Sequence, residues 1–171
     1  VNIHERGGVV IGSSRGPQDV EEIADTLERM NIGILFMIGG GGTLQAATHL
    51  ADTVLQRGLR TSIVGVPKTI DNDIYMVSRS FGFDTAVEVS PRAIVSASNE
   101  AEGYPNGIGL IKLMGRHSGF IAATATLAQQ DVNFVLIPEV DFGLEGPQGL
   151  LHTLEMRLAD RGHAGIVVAE G

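Results

Sequence analysis

Short apolar runs alternate with amphipathic stretches along the whole chain. Val9 to Ile11, Ile34 to Ile38, 61–66, Ile108 to Met114, Asn133 to Ile137 and Gly165 to Ala169 each read as a strand. Their near-continuous apolar character suits a parallel sheet covered on both faces. Val20, Ile23, Ala24, Leu27 and Met30 recur at helical spacing with charges between them, predicting a helix over 18–30. Further helices are predicted over 43–56, with Thr43 as N-cap and Gly58 as stop, and over 82–102, 118–129 and 150–161. Pro91 inside the third of these predicts a kink or a break into two helices. The two tyrosines, Tyr75 and Tyr104, are expected to pack.

This order predicts an α/β fold with three-layer parallel sheets and helices on both faces, Rossmann-like in character. The second half repeats the architecture of the first without a sequence repeat. The boundary is expected near 82–86, giving domains 1–83 and 84–171. The chain starts without Met and stops at the tip of a predicted strand, so a piece of something longer is expected.

Composition narrows the function classes. The chain has 171 residues, 43% of them hydrophobic, enough to bury a sizeable core. No apolar run approaches the roughly 20 residues of a membrane helix, so no membrane partner is expected. A formal net charge of −8 argues against a nucleic-acid partner, since phosphate backbones are held by clustered Lys and Arg. The acidic balance is ordinary for a cytoplasmic enzyme. With no cysteine, thiolate metal sites and cysteine nucleophiles are excluded. The five histidines show no metal-ligand spacing.

The 23 glycines gather where strands are predicted to end, together with the polar groups. In a parallel α/β sheet that is the ligand-binding edge. Gly39-Gly40-Gly41-Gly42-Thr43 between a strand and a helix suits close approach of backbone N–H groups to phosphate, or a plain tight turn. It is neither a P-loop nor a strict dinucleotide fingerprint. Arg15, in the loop Gly12 to Pro17, is either a second phosphate contact or a solvated surface cation.

The stretch GVPKTIDNDI, 65–74, ends an apolar run at Pro67 and delivers Lys68, Thr69, Asp71 and Asp73. If the backbone stays extended past Ile70, the two aspartates share a face. One can take a proton and the other help hold a metal; the alternative is a polar loop of Asx turns. Lys68 can neutralise a phosphoryl group or pair with the aspartates. In Met114-Gly115-Arg116, the glycine permits close backbone approach, and a cation at a helix N-terminus opposes the dipole unless an anion comes to that spot. Glu139 and Glu170 each end an apolar strand, where an acid binds sugar hydroxyls, caps a helix or is simply solvated.

Taken together, GGVVIGSSRGP, IGGGGT, GVPKTIDNDI, FGFDTA, KLMGRHSGFIA and LIPEV resemble, in order and spacing, the 6-phosphofructokinases. The variant is similar to the long-chain branch of plant and trypanosome ATP-dependent enzymes and their pyrophosphate-dependent relatives. The resemblance covers essentially the whole chain and implies the phosphofructokinase fold, here incomplete. It implies phosphoryl transfer, with Mg²⁺, to the 1-hydroxyl of fructose 6-phosphate in glycolysis. By position, Asp71 matches the general base, Thr69 and Asp73 its neighbours at the reacting centre, and Arg15 a donor-phosphate contact. Met114, Gly115 and Arg116 match sugar-phosphate contacts, and Glu170 the acid that holds sugar hydroxyls. Domain 1–83 would then bind the donor, and 84–171 would be part of the fructose 6-phosphate domain. A homodimer or homotetramer is expected on the same ground.

Three departures qualify that expectation. The family's loop carries an Asp that helps hold Mg²⁺ where this chain has Gly41, which leaves Asp73 as the metal carboxylate. Gly107 or Asn106 stands where bacterial ATP enzymes place an arginine across a subunit boundary. The first glycine loop of the donor site and the C-terminal third of the family are missing, so the 171 residues alone are expected to be inactive. The pair Gly42 and Lys68 resembles ATP enzymes of the long-chain branch, with pyrophosphate the alternative donor. A non-catalytic homologue that binds sugar phosphate or nucleotide is the competing class.

Overall fold

The fold is that of a computed structural model, which describes residues 2–10, 12, 16 and 18–171. After a 3-10 turn at Ile3–Glu5, the elements are α1 (Val20–Arg29), β1 (Ile34–Gly39), α2 (Gly41–Gln56), β2 (Ser62–Thr69), β3 (Phe81–Gly82) and α3 (Phe83–Glu102). They continue with β4 (Gly107–Leu113), α4 (Phe120–Leu127), β5 (Phe134–Leu136), α5 (Leu150–Arg161) and β6 (His163–Ala169). Among the described residues two sheets form, ordered β1-β2-β3 and β4-β6-β5. The pairs β2–β3, β4–β6 and β5–β6 are all parallel. The chain divides into two compact units, Val1–Phe36 with Gln45–Val64, and Met37–Leu44 with Gly65–Gly171.

In the first unit, α1 begins where the Asp19 carboxylate accepts the Glu21 N–H at 2.9 Å, and its apolar stripe buries Ala24 and Leu27. Helix α2 buries Ala47, Leu50 and Val54. It stops at Gly58, whose φ of 66° lets the Leu59 N–H reach back to the Val54 carbonyl at 3.0 Å. Just past it, Arg57 donates to Asp25 at 2.5 Å and to Glu21 and Glu28 at 3.3 Å. This cluster, through the Asp25 hydrogen bond first, raises the guanidinium pKa above its ordinary value. The strand expected at 9–11 does not form over its described part. Val10 lies in a turn, Val9 and Val10 are both exposed, and no described strand offers them a ladder; Ile11 lies outside the described residues.

The second unit is built on β4-β6-β5. Seven consecutive pairs, from Gly107↔His163 to Leu113↔Ala169, join β4 to β6. Its core gathers Phe83, Ile94, Ile111, Leu113, Ile121, Ala122, Ala125, Val167 and Ala169. Pro91 does not break α3, which runs as one helix of 20 residues packed on β4, β6 and α4. An interior proline costs a helix about 3 kcal/mol, and that contact surface offsets it. The tyrosines do not pack: Tyr75 is 91% exposed and Tyr104 64%. Among the described residues no helix is long and apolar enough to cross a membrane.

Candidate active site

Strand β2 does not stop at Pro67. It runs on to Thr69 because β3 supplies a partner, pairing Lys68↔Phe81 and Thr69↔Gly82. Pro67, which has no N–H to donate, precedes that short ladder. Beyond Thr69 the backbone is not extended. Asn72 has φ 54°, a left-handed conformation that Asn tolerates, and it turns the chain between the two aspartates. Asp71 and Asp73 therefore do not share a face by strand alternation; Asp71 is half-buried and Asp73 exposed.

The turn is held from behind. Asn72 Oδ1 accepts the Ser80 N–H at 2.8 Å, and its Nδ2 donates to the Ser78 carbonyl at 3.2 Å. The buried Ser80 hydroxyl donates to the Thr69 carbonyl at 2.7 Å. Thr69 Oγ1 accepts the Asp71 N–H at 3.2 Å. A cleft of about 430 Å³ opens beside Asp73, with Tyr75, Val77 and Phe120 on its walls. Lys68 is exposed, and among the described residues no ion pair joins it to either aspartate.

The glycine run is tighter than expected. Helix α2 starts at Gly41, with Gly40 O accepting the Leu44 N–H at 3.0 Å, so Thr43 lies in the first turn and is not the N-cap. Its side chain folds over Gly39, where an added Cβ would lie 2.6 Å from Thr43 Cβ. Glycine is therefore required at 39 by close approach. An added Cβ at Gly40 would lie 3.6 Å from Thr69 Cβ, which places the glycine loop against the end of β2. The first-turn N–H groups of α2 have no intrahelical acceptor, the arrangement that receives anions.

At Gly41 and Gly42 the space for a side chain is open, and the first turn of α2 holds no acidic residue. Gly41→Asp is thus sterically free. It is expected to raise stability by about 0.3–1 kcal/mol through the helix dipole. If a carboxylate there matters to Mg²⁺, the metal dependence of full-length turnover will also sharpen; an unchanged rate and metal dependence would show that it does not. Among the described residues no group of three His, Cys, Asp or Glu could hold a metal by itself. Mg²⁺ needs only one or two protein carboxylates when other oxygens complete its shell, and the exposed Asp73 is a carboxylate this loop offers.

The second loop follows β4. Met114 is 61% exposed, and Gly115 has φ 133° with Ser118 O filling the place of a side chain. Arg116 is exposed and forms no ion pair among the described residues. Helix α4 starts only at Phe120, so Arg116 stands outside its first turn and, contrary to the expectation, is not a cation set against the helix dipole. The Arg116 carbonyl lies against Gly171, which brings the exposed Glu170, at the end of β6, beside the Arg116 loop. Ser118, 2% exposed, donates to the Asp71 carbonyl at 2.6 Å. Glu139 proves to be a cap: its Oε1 and Oε2 lie 2.8 and 3.0 Å from the Gly119 nitrogen at the start of α4. Arg15 lies outside the described residues.

Asn72, Ser80 and Ser118 were not foreseen as part of the site. Asn72 carried a signal, since Asn between two acids is a residue prone to left-handed backbone. Ser80 and Ser118 act through partners 8 to 47 positions away, which no local pattern announces.

The chain is 52% identical over 170 residues to ATP-dependent 6-phosphofructokinase 7 of Arabidopsis thaliana, covering 99% of this chain and 35% of that protein. It is 51% identical over 176 residues to the ATP-dependent 6-phosphofructokinase of Borreliella burgdorferi, covering 99% of this chain and 39% of that one. The chain thus spans little more than a third of the length of these relatives. Its fold superposes on the pyrophosphate-dependent phosphofructokinase of Marinobacter aquaeolei with a TM-score of 0.79 at 27% identity, covering 96% of this chain and 43% of the other. The sequence model of the Phosphofructokinase family matches residues 1–171 from end to end, and the chain belongs to that family.

Proposed function

We propose that the protein containing this chain transfers the γ-phosphoryl group of ATP to the 1-hydroxyl of fructose 6-phosphate, giving fructose 1,6-bisphosphate. The observation that carries the reading is the meeting of three loops within one compact unit. The glycine loop lies against Thr69, Asp71 follows two residues on, and the loop of Arg116 is bonded to Asp71 through Ser118.

In this reading Asp71 takes the proton of the 1-hydroxyl as its oxygen forms the new bond to the γ-phosphorus. The bond from phosphorus to the β–γ bridging oxygen breaks, and ADP leaves. A positioned base of this kind is worth roughly 10²–10⁴ in rate. The rest of the acceleration comes from charge stabilisation and alignment. Lys68 supplies positive charge at the transferring group and Thr69 a hydroxyl beside it. Arg15 with Gly40, Gly41, Gly42 and Thr43 binds the donor phosphates. Met114, Gly115 and Arg116 hold the sugar phosphate, and Glu170 a sugar hydroxyl. Residues 1–83 then serve the donor and 84–171 part of the sugar site. Bound Mg²⁺, with Asp73 among its ligands, would neutralise donor phosphate charge. Association into a homo-oligomer in the cytoplasm belongs to the same reading.

Pyrophosphate is the second donor to consider, because Lys68 is shared with pyrophosphate enzymes while Gly42 is not. A coupled assay of the full-length protein with fructose 6-phosphate decides the matter. Turnover with ATP well above that with pyrophosphate is expected. The reverse order would overturn the donor assignment. Sugar-phosphate binding without turnover on either donor would favour a non-catalytic homologue, the outcome that Gly41 makes conceivable.

A further inference from the structure

We propose that Ser118 is a positioning residue for Asp71, and that Glu139 holds Ser118 in place. The proposal rests on the reading of Asp71 as the general base.

Asp71 lies past the end of β2, where no ladder partner fixes it. Both of its main-chain polar groups are instead engaged by side-chain hydroxyls: Thr69 Oγ1 accepts its N–H at 3.2 Å, and Ser118 Oγ donates to its carbonyl at 2.6 Å. The Thr69 bond is local and cannot by itself aim the residue. The Ser118 bond spans 47 positions and ties Asp71 to the start of α4. Ser118 is almost wholly buried, so water does not compete for its hydroxyl. The same residue carries the carbonyl that fills the side-chain space of Gly115. One residue therefore connects the base to the loop that carries Arg116.

Glu139 completes the arrangement. Both of its carboxylate oxygens lie within 3.0 Å of the Gly119 nitrogen, the position next to Ser118. A carboxylate on the N-terminus of α4 is favoured by the helix field, so the anchor is strong although Glu139 is exposed. The order of dependence is Glu139 to Gly119, Ser118, then Asp71. A shift of about 1 Å at a reacting group can cost 10²-fold in rate, so loss of this support should be read in kcat.

The test uses the full-length enzyme and its Ser118→Ala, Glu139→Ala, Glu139→Gln and double Ser118→Ala/Glu139→Ala variants, with rates normalised to folded protein. Ser118→Ala is expected to lower kcat by about 100-fold, with little change in KM for fructose 6-phosphate and only the small fall in Tm that loss of one buried hydrogen bond brings. Glu139→Gln, which keeps an acceptor, should retain most of the kcat that Glu139→Ala loses. The double variant should be no slower than the slower single one. Wild-type kcat in Ser118→Ala, or multiplied losses in the double variant, would overturn the proposal. Amide hydrogen exchange over residues 70–74 gives a readout independent of turnover: faster exchange in Ser118→Ala supports the positioning role, and unchanged exchange refutes it. Absence of turnover in the wild type would instead overturn the functional reading, leaving the exchange result to decide the role of Ser118.

Discussion

Asp71→Asn in the full-length protein is expected to reduce kcat by roughly 10²–10⁴, with KM for fructose 6-phosphate little changed. The substitution keeps size and shape but removes the group that accepts the proton. The main-chain bonds of residue 71 to Thr69 and Ser118 do not involve its side chain, so the loop should keep its conformation. Steady-state kinetics alongside a thermal melt measure both consequences. A variant with wild-type kcat would remove Asp71 from the role of base, whereas lost activity with a lowered melting midpoint would indicate a structural role.

The largest stability effect is expected from Ile94→Ala. Ile94 is wholly buried in α3, within the cluster of Phe83, Ile111, Leu113, Ile121 and Val167. Truncation removes three carbons from a close-packed site bounded by a sheet and a second helix, so the cavity cannot readily collapse. A loss of about 2–5 kcal/mol is expected, seen as a lower urea midpoint at unchanged slope. A loss below about 1 kcal/mol would mean that the neighbours repack into the space.

Both expectations combine what was legible in the sequence with what was not. Helix α5 was legible to the residue, at 150–161, and so was the parallel arrangement built from near-continuous apolar strands. Boundaries slipped where the deciding partner lay elsewhere. Strand β2 outlasts Pro67 because Phe81 and Gly82 come alongside. Helix α4 begins at Phe120 and not at Ser118: the Ser118 hydroxyl donates to Asp71 and accepts the Phe120 N–H at 3.5 Å, and Glu139 caps the Gly119 nitrogen. The tyrosines looked like packing groups by type, yet Tyr75 projects from the turn after Asp73.

The sequence by itself determined the family, the order of elements and the identity of the chemical groups, because apolar periodicity and the spacing of motifs are local properties of the chain. Lys68, Thr69, Asp71, Asp73 and Arg116 could all be named from it. Only the tertiary structure decided how those groups are held. The left-handed turn at Asn72 separates two aspartates that alternation would have put on one face. Ser80 and Ser118 grip that turn from 8 and 47 positions away. Hydrogen bonds between residues distant in sequence leave no periodic trace, since they depend on where the sheet and helices bring the backbone.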